Sequence, residues 1–209
     1  MDESEESRSQ HGVPAWPGGS QSWPSDERFD PTLLAEGDRR NVEDRFRYWA
    51  RDKVVEALDA ERGDEWLEVA IENLAHDFNI GSIVRTANCL GVRYVHIVGK
   101  RRWNRRGAMV TDRYLHVIHH EDVAAFRQAM TARGRVMIGI DNCSTSIPIE
   151  GAILPRHAVL IMGEESSGLS EEMKEACERI HHITQYGSSR SMNVGHAAAI
   201  AMWAWVVSR

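Results

Sequence analysis

The sequence predicts an α/β fold in which a mostly parallel sheet carries helices on both faces. Two observations predict it. Short apolar runs alternate with helix-like segments of roughly ten residues from about residue 66 onward. The strand-like runs are also apolar along their whole length, which is typical of strands that are covered on both faces. Strands joined by helical crossovers lie parallel, so both observations favour the same class.

Each element follows from a local pattern. Strands are predicted for the apolar runs at residues 66–71, 94–98, 135–140 and 158–162, with a short one near 182–184. Helices are predicted at residues 81–90, 122–134, 170–180 and 191–208. Gly91 and Gly134 end the first two helices, and Ser170 is the predicted N-cap of the third.

The N-terminal part of the chain has a different composition. Residues 1–30 contain seven acidic and two basic residues among many Ser, Gly and Pro residues. Asn41 is the predicted N-cap of a helix that ends near Leu58. Its predicted buried stripe is Phe46, Trp49, Ala50, Val54 and Leu58. We therefore expect a disordered acidic tail (1–35), a helical extension (36–64) and a main domain (65–209).

Composition excludes several classes of protein. Hydrophobic residues make up 42% of the 209 residues, which is enough to bury a core. We expect no membrane partner, because the longest uncharged apolar run (197–207) is too short to cross a bilayer. Three widely spaced cysteines without a C-x-x-C pair favour the reducing cytoplasm. The ten histidines include no H-E-x-x-H motif, so no metal is expected.

Polar residues follow the predicted strands, where ligands bind in open parallel sheets. Asn79 begins a helix and Arg85 follows, an arrangement that can hold a phosphate or carboxylate. The alternative is an N-cap and a surface arginine. Ser191 and Asn193 begin the last helix, whose alanines also permit simple close packing.

The segment after the run 158–162 reads G-E-E-S-S-G-L-S. Gly163 and Gly168 have the spacing of a phosphate-binding P-loop, but Leu169 occupies the position of the required lysine. Glu164 and Glu165 can orient other groups or act as bases. Alternatively, they favour the N-terminus of the next helix.

Together, three segments resemble the motifs of the SpoU-type ribose 2′-O-methyltransferases of the SPOUT superfamily. They read N-I-G-S-I-V-R-T-A (79–87), G-E-E-S-S-G-L-S (163–170) and S-M-N-V-G-H-A (191–197). The resemblance covers residues 65–209. Glu164 and Gly195 depart from the family pattern, in which Asn and Ser are common at these positions.

The resemblance implies a deep trefoil knot at the C-terminus, S-adenosyl-L-methionine bound in the knot cleft, and a homodimer. The last helix, with Met202, Trp203 and Val206, is implied to supply part of the dimer interface. The implied cofactor-binding residues are Ile140, Asp141, Asn142, Met162, Gly163, Glu164, Gly168, Ile183, Ser191 and Met192.

The implied activity is methylation of a ribose 2′-hydroxyl in structured RNA, and we favour tRNA over rRNA. The implied catalytic residues are Arg85, Asn79, Glu165, Ser191 and Asn193. We expect Arg85 to grip a phosphate and orient the hydroxyl, because arginine is a poor base. The alternatives are a non-catalytic knotted RNA-binding or assembly factor, and a SPOUT base methyltransferase.

The charge distribution suggests where RNA binds. The net charge of −6 argues against a nucleic-acid partner, but most of it lies in the tail. Residues 100–113 contain six basic residues and one acid. Trp103 lies among them and can stack on an unpaired base. The predicted RNA-binding residues are Lys100, Arg101, Arg102, Trp103, Arg105, Arg106 and Arg113. The alternative is a solvated basic loop.

Overall fold

One parallel sheet organises the larger part of the chain. The structure, a computed structural model, describes residues 12–73, 78–164 and 167–209, and the chain divides into two units, Met1–Ala57 and Leu58–Arg209. Within the described residues, every strand pair of the seven-stranded sheet is parallel, in the order β3-β2-β1-β6-β4-β7-β5. The strands are β1 (Glu68–Asn73), β2 (Tyr94–Gly99), β3 (His116–His120), β4 (Val136–Ile140), β5 (Ile147–Pro148), β6 (Ala158–Met162) and β7 (Arg179–His182).

Helices precede and connect the strands. The α-helices are α1 (Pro31–Glu36), α2 (Arg51–Arg62), α3 (Phe78–Cys89), α4 (Val123–Ala132), α5 (Glu171–Ala176) and α6 (Val194–Val207). Short 3-10 helices are present at Ser20–Ser22, Asp44–Phe46, Arg105–Ala108 and Thr111–Arg113. None of the described helices is long and apolar enough to span a membrane.

Both faces of the sheet are covered. On one face, α3 and α6 pack on alternate strand residues, with Ile83 and Trp205 fully buried. On the other face, α4 and α5 contribute Phe126 and Met173, which are also fully buried. Removing such side chains from water drives the packing of the two layers. The α/β class and the parallel sheet are confirmed.

Three details of the sheet region differ from the sequence prediction. Strand β3 lies at a sheet edge and is only partly buried, so its polar sequence H-V-I-H-H did not resemble a buried strand. Strand β7 ends at His182, where the predicted short strand begins. Helix α6 begins at Val194 rather than Ser191, because Asn193 is its N-cap.

A buried polar cluster lies under α4. The fully buried Glu68 accepts a hydrogen bond from His96 (3.0 Å) and pairs with Arg135 (2.7 Å). Burial raises the pKa of Glu68, but the His96 hydrogen bond and the arginine charges outweigh burial and lower it. His96 Nδ1 lies 2.9 Å from His120 Nε2. Burial and the neighbouring histidines His96 and His119 lower the pKa of His120 to about 4.

The N-terminal unit is ordered where disorder was predicted. Residues 1–11 lie outside the described residues, but helix α1 falls within the predicted tail and is capped by Asp30. The Trp16 ring contacts Tyr48 at 5.3 Å between centroids. The buried Asp38 carboxylate accepts hydrogen bonds from Arg40 and from the backbone N of Tyr48. Average composition does not reveal such contacts, so the disorder predicted for residues 12–35 is corrected.

The predicted helix from Asn41 to Leu58 is also wrong in detail. The 3-10 turn at Asp44–Phe46 and helix α2 are separate, and Tyr48 between them has a left-handed φ of 62°. Hydrogen bonds from Tyr48 to Asp38 and to Pro14 O compete with a continuous helix. Of the predicted stripe, Phe46 and Val54 are buried, whereas the other three residues are half-buried.

Candidate functional site

A cavity of about 260 Å³ opens at the carboxyl ends of β4, β6 and β7. The structure brings all ten residues of the predicted cofactor set to its wall. They are Ile140, Asp141, Asn142, Met162, Gly163, Glu164, Gly168, Ile183, Ser191 and Met192. Six further residues complete the lining and were not predicted: Ser167, His182, Gln185, Arg190, Val194 and Ala197. The signal for Gln185 and Arg190 was their position in the loop that follows the last strand.

Side-chain hydrogen bonds fix the loops around this cavity. Asn142 Nδ2 donates to the carbonyl of Arg190 at 3.1 Å, which joins the loop after β4 to the loop after β7. Asp141 Oδ2 accepts from the backbone N of Leu169 at 3.1 Å, which joins the loop after β4 to the loop after β6. Three separate strand ends are therefore held at fixed spacing.

Close backbone approach explains the two glycines of the loop after β6. The backbones of Glu164 and Gly168 exchange two hydrogen bonds of 2.9 and 2.8 Å. A Cβ at Gly163 would lie 2.2 Å from the carbonyl carbon of Gly168. Gly168 has a φ of 68°, and a Cβ there would lie 2.5 Å from Asp141 Oδ2. The glycines therefore form a tight turn at the cavity rather than a phosphate-binding P-loop.

The first and third motifs meet through their asparagines. Asn193 Oδ1 caps α6 by accepting from the backbone N atoms of Gly195 and His196, at 3.0 and 3.3 Å. Its Nδ2 donates to Asn79 Oδ1 at 3.0 Å. A Cβ at Gly195 would lie 3.1 Å from Asn193 Oδ1, so glycine relieves crowding at this position. Ser191 lies in the cavity wall, and Glu165 lies outside the described residues.

Arg85 is exposed on α3 and does not line the cavity. Gly81 precedes it by one helical turn, so both residues lie on the same side of α3. A Cβ at Gly81 would lie 2.7 Å from Gly107 Cα, which shows that α3 packs directly on the backbone of the 100–113 loop. The surface of α3 that carries Arg85 is therefore adjacent to the predicted RNA-binding loop.

All six basic residues of the 100–113 loop are exposed: Lys100, Arg101, Arg102, Arg105, Arg106 and Arg113. Trp103 is half-buried and packs on the core of the sheet. Arg105 lies 5.6 Å from the centroid of the Trp103 ring, and its guanidinium pairs with Asp112 at 3.6 Å. Trp103 therefore anchors the loop, and its ring is less open for stacking on a base than predicted.

Among the described residues, no group of three or more His, Cys, Asp or Glu side chains could hold a metal ion. The polar side chains that line the cavity are instead two carboxylates, two amides, two serine hydroxyls, a histidine and an arginine: Asp141, Glu164, Asn142, Gln185, Ser167, Ser191, His182 and Arg190. Such a lining, mixed with apolar side chains, suits an organic ligand of mixed polarity.

Comparison with known proteins gives a consistent result. The model of the SpoU rRNA Methylase family matches residues 67–203. The 23S rRNA (guanosine-2′-O-)-methyltransferase RlmB of Burkholderia sp is 30% identical over 165 residues, covering 73% of this chain and 63% of the relative. The tRNA (guanosine(18)-2′-O)-methyltransferase of Borreliella burgdorferi is 23% identical over 141 residues, covering 66% of this chain and 65% of the relative. The protein of that name from Saccharomyces cerevisiae is 23% identical over 136 residues, covering 62% of this chain. The chain spans only 10% of the length of this yeast relative and less than two thirds of the two bacterial ones.

Solved structures share the fold. The A. aeolicus TrmH/SpoU tRNA modifying enzyme superposes with a TM-score of 0.66 at 21% identity, covering 76% of this chain and 82% of the other. The SpoU methyltransferase AviRb from Streptomyces viridochromogenes, solved with AdoMet, gives a TM-score of 0.64 at 22% identity, covering 71% of this chain and 64% of the other.

Proposed function

The chain belongs to the SpoU rRNA Methylase family, and on this premise we propose that it transfers a methyl group from S-adenosyl-L-methionine to a ribose 2′-hydroxyl of structured RNA. The observation that carries the proposal is that all ten predicted cofactor residues line one cavity at the ends of β4, β6 and β7. The Asn79–Asn193 contact links the start of α6, which follows this cavity in sequence, to α3, the helix that bears Arg85.

The cavity fits the proposed cofactor. The tight turn at Gly163 and Gly168 brings backbone groups to the cavity wall, and a Cβ at either glycine would clash with the turn itself or with Asp141. Ile140, Ile183 and Met192 offer apolar surface for an adenine ring. Asn142 and the backbone of the turn offer polar partners. When bound, S-adenosyl-L-methionine supplies an electrophilic methyl group on a sulfonium.

Arg85 is the residue that we assign to the RNA side of the reaction. Arginine stays protonated in proteins and presents a planar fork that matches a phosphate. We assign it to grip the phosphate next to the target ribose and orient the 2′-hydroxyl, with deprotonation of the hydroxyl assisted by that phosphate. Positioning of this kind can supply much of the acceleration of an in-line displacement.

The other motif residues position these groups. Asn193 holds Asn79 through the hydrogen bond between their amides, and Asn79 holds Arg85 or the ribose. Ser191 lies where the cavity meets α6 and aligns the neighbourhood of Arg85. We assign Glu165 to fix the motif loops. The basic residues of the 100–113 loop bind the phosphates that flank the target.

We further propose a C-terminal trefoil knot, a cytoplasmic location and a homodimer. Support for the dimer comes from an apolar stripe on α6, where Ile200, Trp203 and Val207 are exposed. Of the three implied interface residues, Trp203 belongs to this stripe, whereas Met202 is fully buried and Val206 is half-buried. The proposed interface therefore consists of Ile200, Trp203 and Val207. We favour tRNA as substrate because several relatives are named tRNA (guanosine(18)-2′-O)-methyltransferases, although the Burkholderia relative is named for 23S rRNA.

A transfer assay tests the proposal. The protein is incubated with methyl-labelled S-adenosyl-L-methionine and either total tRNA or total rRNA, and the RNA is digested to nucleosides. Label on the ribose supports the proposal, and the RNA that carries it identifies the substrate. Label on a base indicates a base methyltransferase. RNA binding without transfer, with intact cofactor binding by calorimetry, indicates a non-catalytic RNA-binding factor.

A further inference from the structure

Two adjacent apolar residues project from the basic loop on a strained backbone. Met109 and Val110 have φ angles of 48° and 70° and are 62% and 53% exposed. Left-handed φ angles are uncommon for residues other than glycine, and a β-branched residue there is an outlier. Such strain persists where the surrounding structure imposes it, and it is frequent at binding sites. We call these two residues the apolar tip.

The surrounding structure does impose this conformation. The tip lies between the 3-10 helices Arg105–Ala108 and Thr111–Arg113. Met109 N donates to Arg106 O, and Arg113 N donates to Val110 O, both at 3.2 Å. Thr111 Oγ1 donates to the carbonyl of the buried Ala108 at 2.6 Å. The backbone of the tip is thus held from both sides while its side chains remain in solvent.

The charges around the tip indicate what it meets. Arg105, Arg106 and Arg113 all lie within four residues of it and are exposed. Neither Arg106 nor Arg113 forms an ion pair with any residue that the structure describes. The apolar tip is surrounded by cations. This arrangement is complementary to an RNA segment, in which the apolar faces of bases lie among phosphates.

We propose that the apolar tip packs against the face of an unstacked base in the RNA substrate. A base that has left the stack is bound in part by packing against aromatic or apolar side chains. A base inside a duplex is covered by its neighbours, so the tip selects RNA whose target region contains unpaired nucleotides. This inference rests on the proposed function, because it assumes that RNA is the substrate.

A binding experiment tests this selection. The probes are an RNA hairpin with an unpaired loop and a blunt RNA duplex of the same length. The double variant Met109→Ser/Val110→Ser should bind the hairpin about tenfold more weakly, as expected for loss of one base contact. Its duplex affinity and the salt dependence of binding should not change, because no charge is removed.

Three further variants sharpen the test. Val110→Gly removes one side chain of the tip and relieves the strain of the left-handed φ, so it folds even if the double serine variant does not. Its preference for the hairpin over the duplex should be smaller than that of the wild type. Ile153→Ser changes an 86% exposed apolar residue outside the loop and should leave both affinities unchanged. Arg106→Ala should weaken both probes and reduce the salt slope by about 1.

Several outcomes overturn the inference. They are an equal loss on both probes, wild-type affinity of the tip variants for the hairpin, and absence of hairpin binding by the wild type. A change in molar mass on substitution of the tip shows a protein interface instead. Methyl transfer is measured in parallel: hairpin selection without transfer contradicts only the proposed function, whereas transfer without an effect of the tip contradicts only this inference.

Discussion

Asn193 donates a hydrogen bond from its Nδ2 to Oδ1 of Asn79 at 3.0 Å, across 114 positions of the sequence. The same side chain accepts the first backbone N–H groups of α6 through its Oδ1. One amide thus fixes the start of α6 and the start of α3 together. Only a side chain with both a donor and an acceptor can cap α6 and also donate to Asn79.

Substitution of Asn193 should separate these two roles. Asn193→Ala loses the cap and the link to Asn79, so the free energy of unfolding should fall by about 1 kcal/mol. Asn193→Asp keeps an acceptor for the cap but cannot donate to Asn79. It should retain near wild-type stability in urea denaturation and still lose most methyl transfer. Full turnover of Asn193→Asp would show that the link to Asn79 is dispensable.

Arg85 should matter for turnover and not for the cofactor. Arg85→Ala removes the proposed phosphate contact, and we expect a loss of transfer of about a hundredfold or more. Arg85→Lys keeps the charge without the planar fork and should recover little activity. Calorimetry should give wild-type affinity for S-adenosyl-L-methionine, because Arg85 does not line the cavity. Wild-type rates in Arg85→Ala would refute the assignment.

Gly168 should be required for the cavity as well as for its backbone conformation. Gly168→Ala places a Cβ at a φ of 68° and 2.5 Å from Asp141 Oδ2. Gly151→Ala is the control, since Gly151 has a φ of 74° but no atom within 4 Å of the added Cβ. Both should lose about 1–2 kcal/mol from left-handed strain. Only Gly168→Ala should also lose cofactor affinity in calorimetry. Equal cofactor affinity of the two variants would contradict this explanation.

Acid should destabilise the larger unit through His120. Its folded pKa is about 4, whereas an unfolded histidine titrates near 6.5. Between these values the unfolded chain binds more protons, so the free energy of unfolding falls as the pH drops from about 6.5 to 4, by roughly 3 kcal/mol for this group. Below about pH 4 the group contributes no further loss.

Unfolding curves at several pH values check this. His120→Gln should have a shallower pH dependence of stability than the wild type across that range. The exposed His157 lies outside the His96–His120 cluster and provides a control, so His157→Gln should keep the wild-type slope. A wild-type slope in His120→Gln would assign the acid sensitivity to other groups.

The sheet and the cavity wall could be predicted because their determinants are local. Apolar runs such as 158–162 identify buried strands, and glycines 163 and 168 identify a tight turn. Parallel topology then brings separate strand ends to one edge. Edge strand β3 was missed because its polar, partly exposed sequence lacks the buried pattern. The N-terminal unit was missed because its order depends on long-range contacts such as Tyr48 to Pro14.

The position of Arg85 shows the limit of motif reasoning. The motif identifies the residue but not its exposure or its separation from the cavity wall, because both depend on how α3 packs. Trp103 shows the same limit, since its ring serves the core rather than the solvent. Charge density alone cannot distinguish an anchoring aromatic residue from one available to bind.

The close contact between Gly81 and Gly107 fixes α3 against the backbone of the 100–113 loop. One end of this helix is tied to the start of α6 through Asn79, and two residues later the backbone at Gly81 contacts the loop that carries the arginines. Under the proposed function, α3 therefore fixes the distance between a nucleotide bound by the loop and the ribose that receives the methyl group. The methylated position would then lie at a constant offset from the nucleotide that the loop binds.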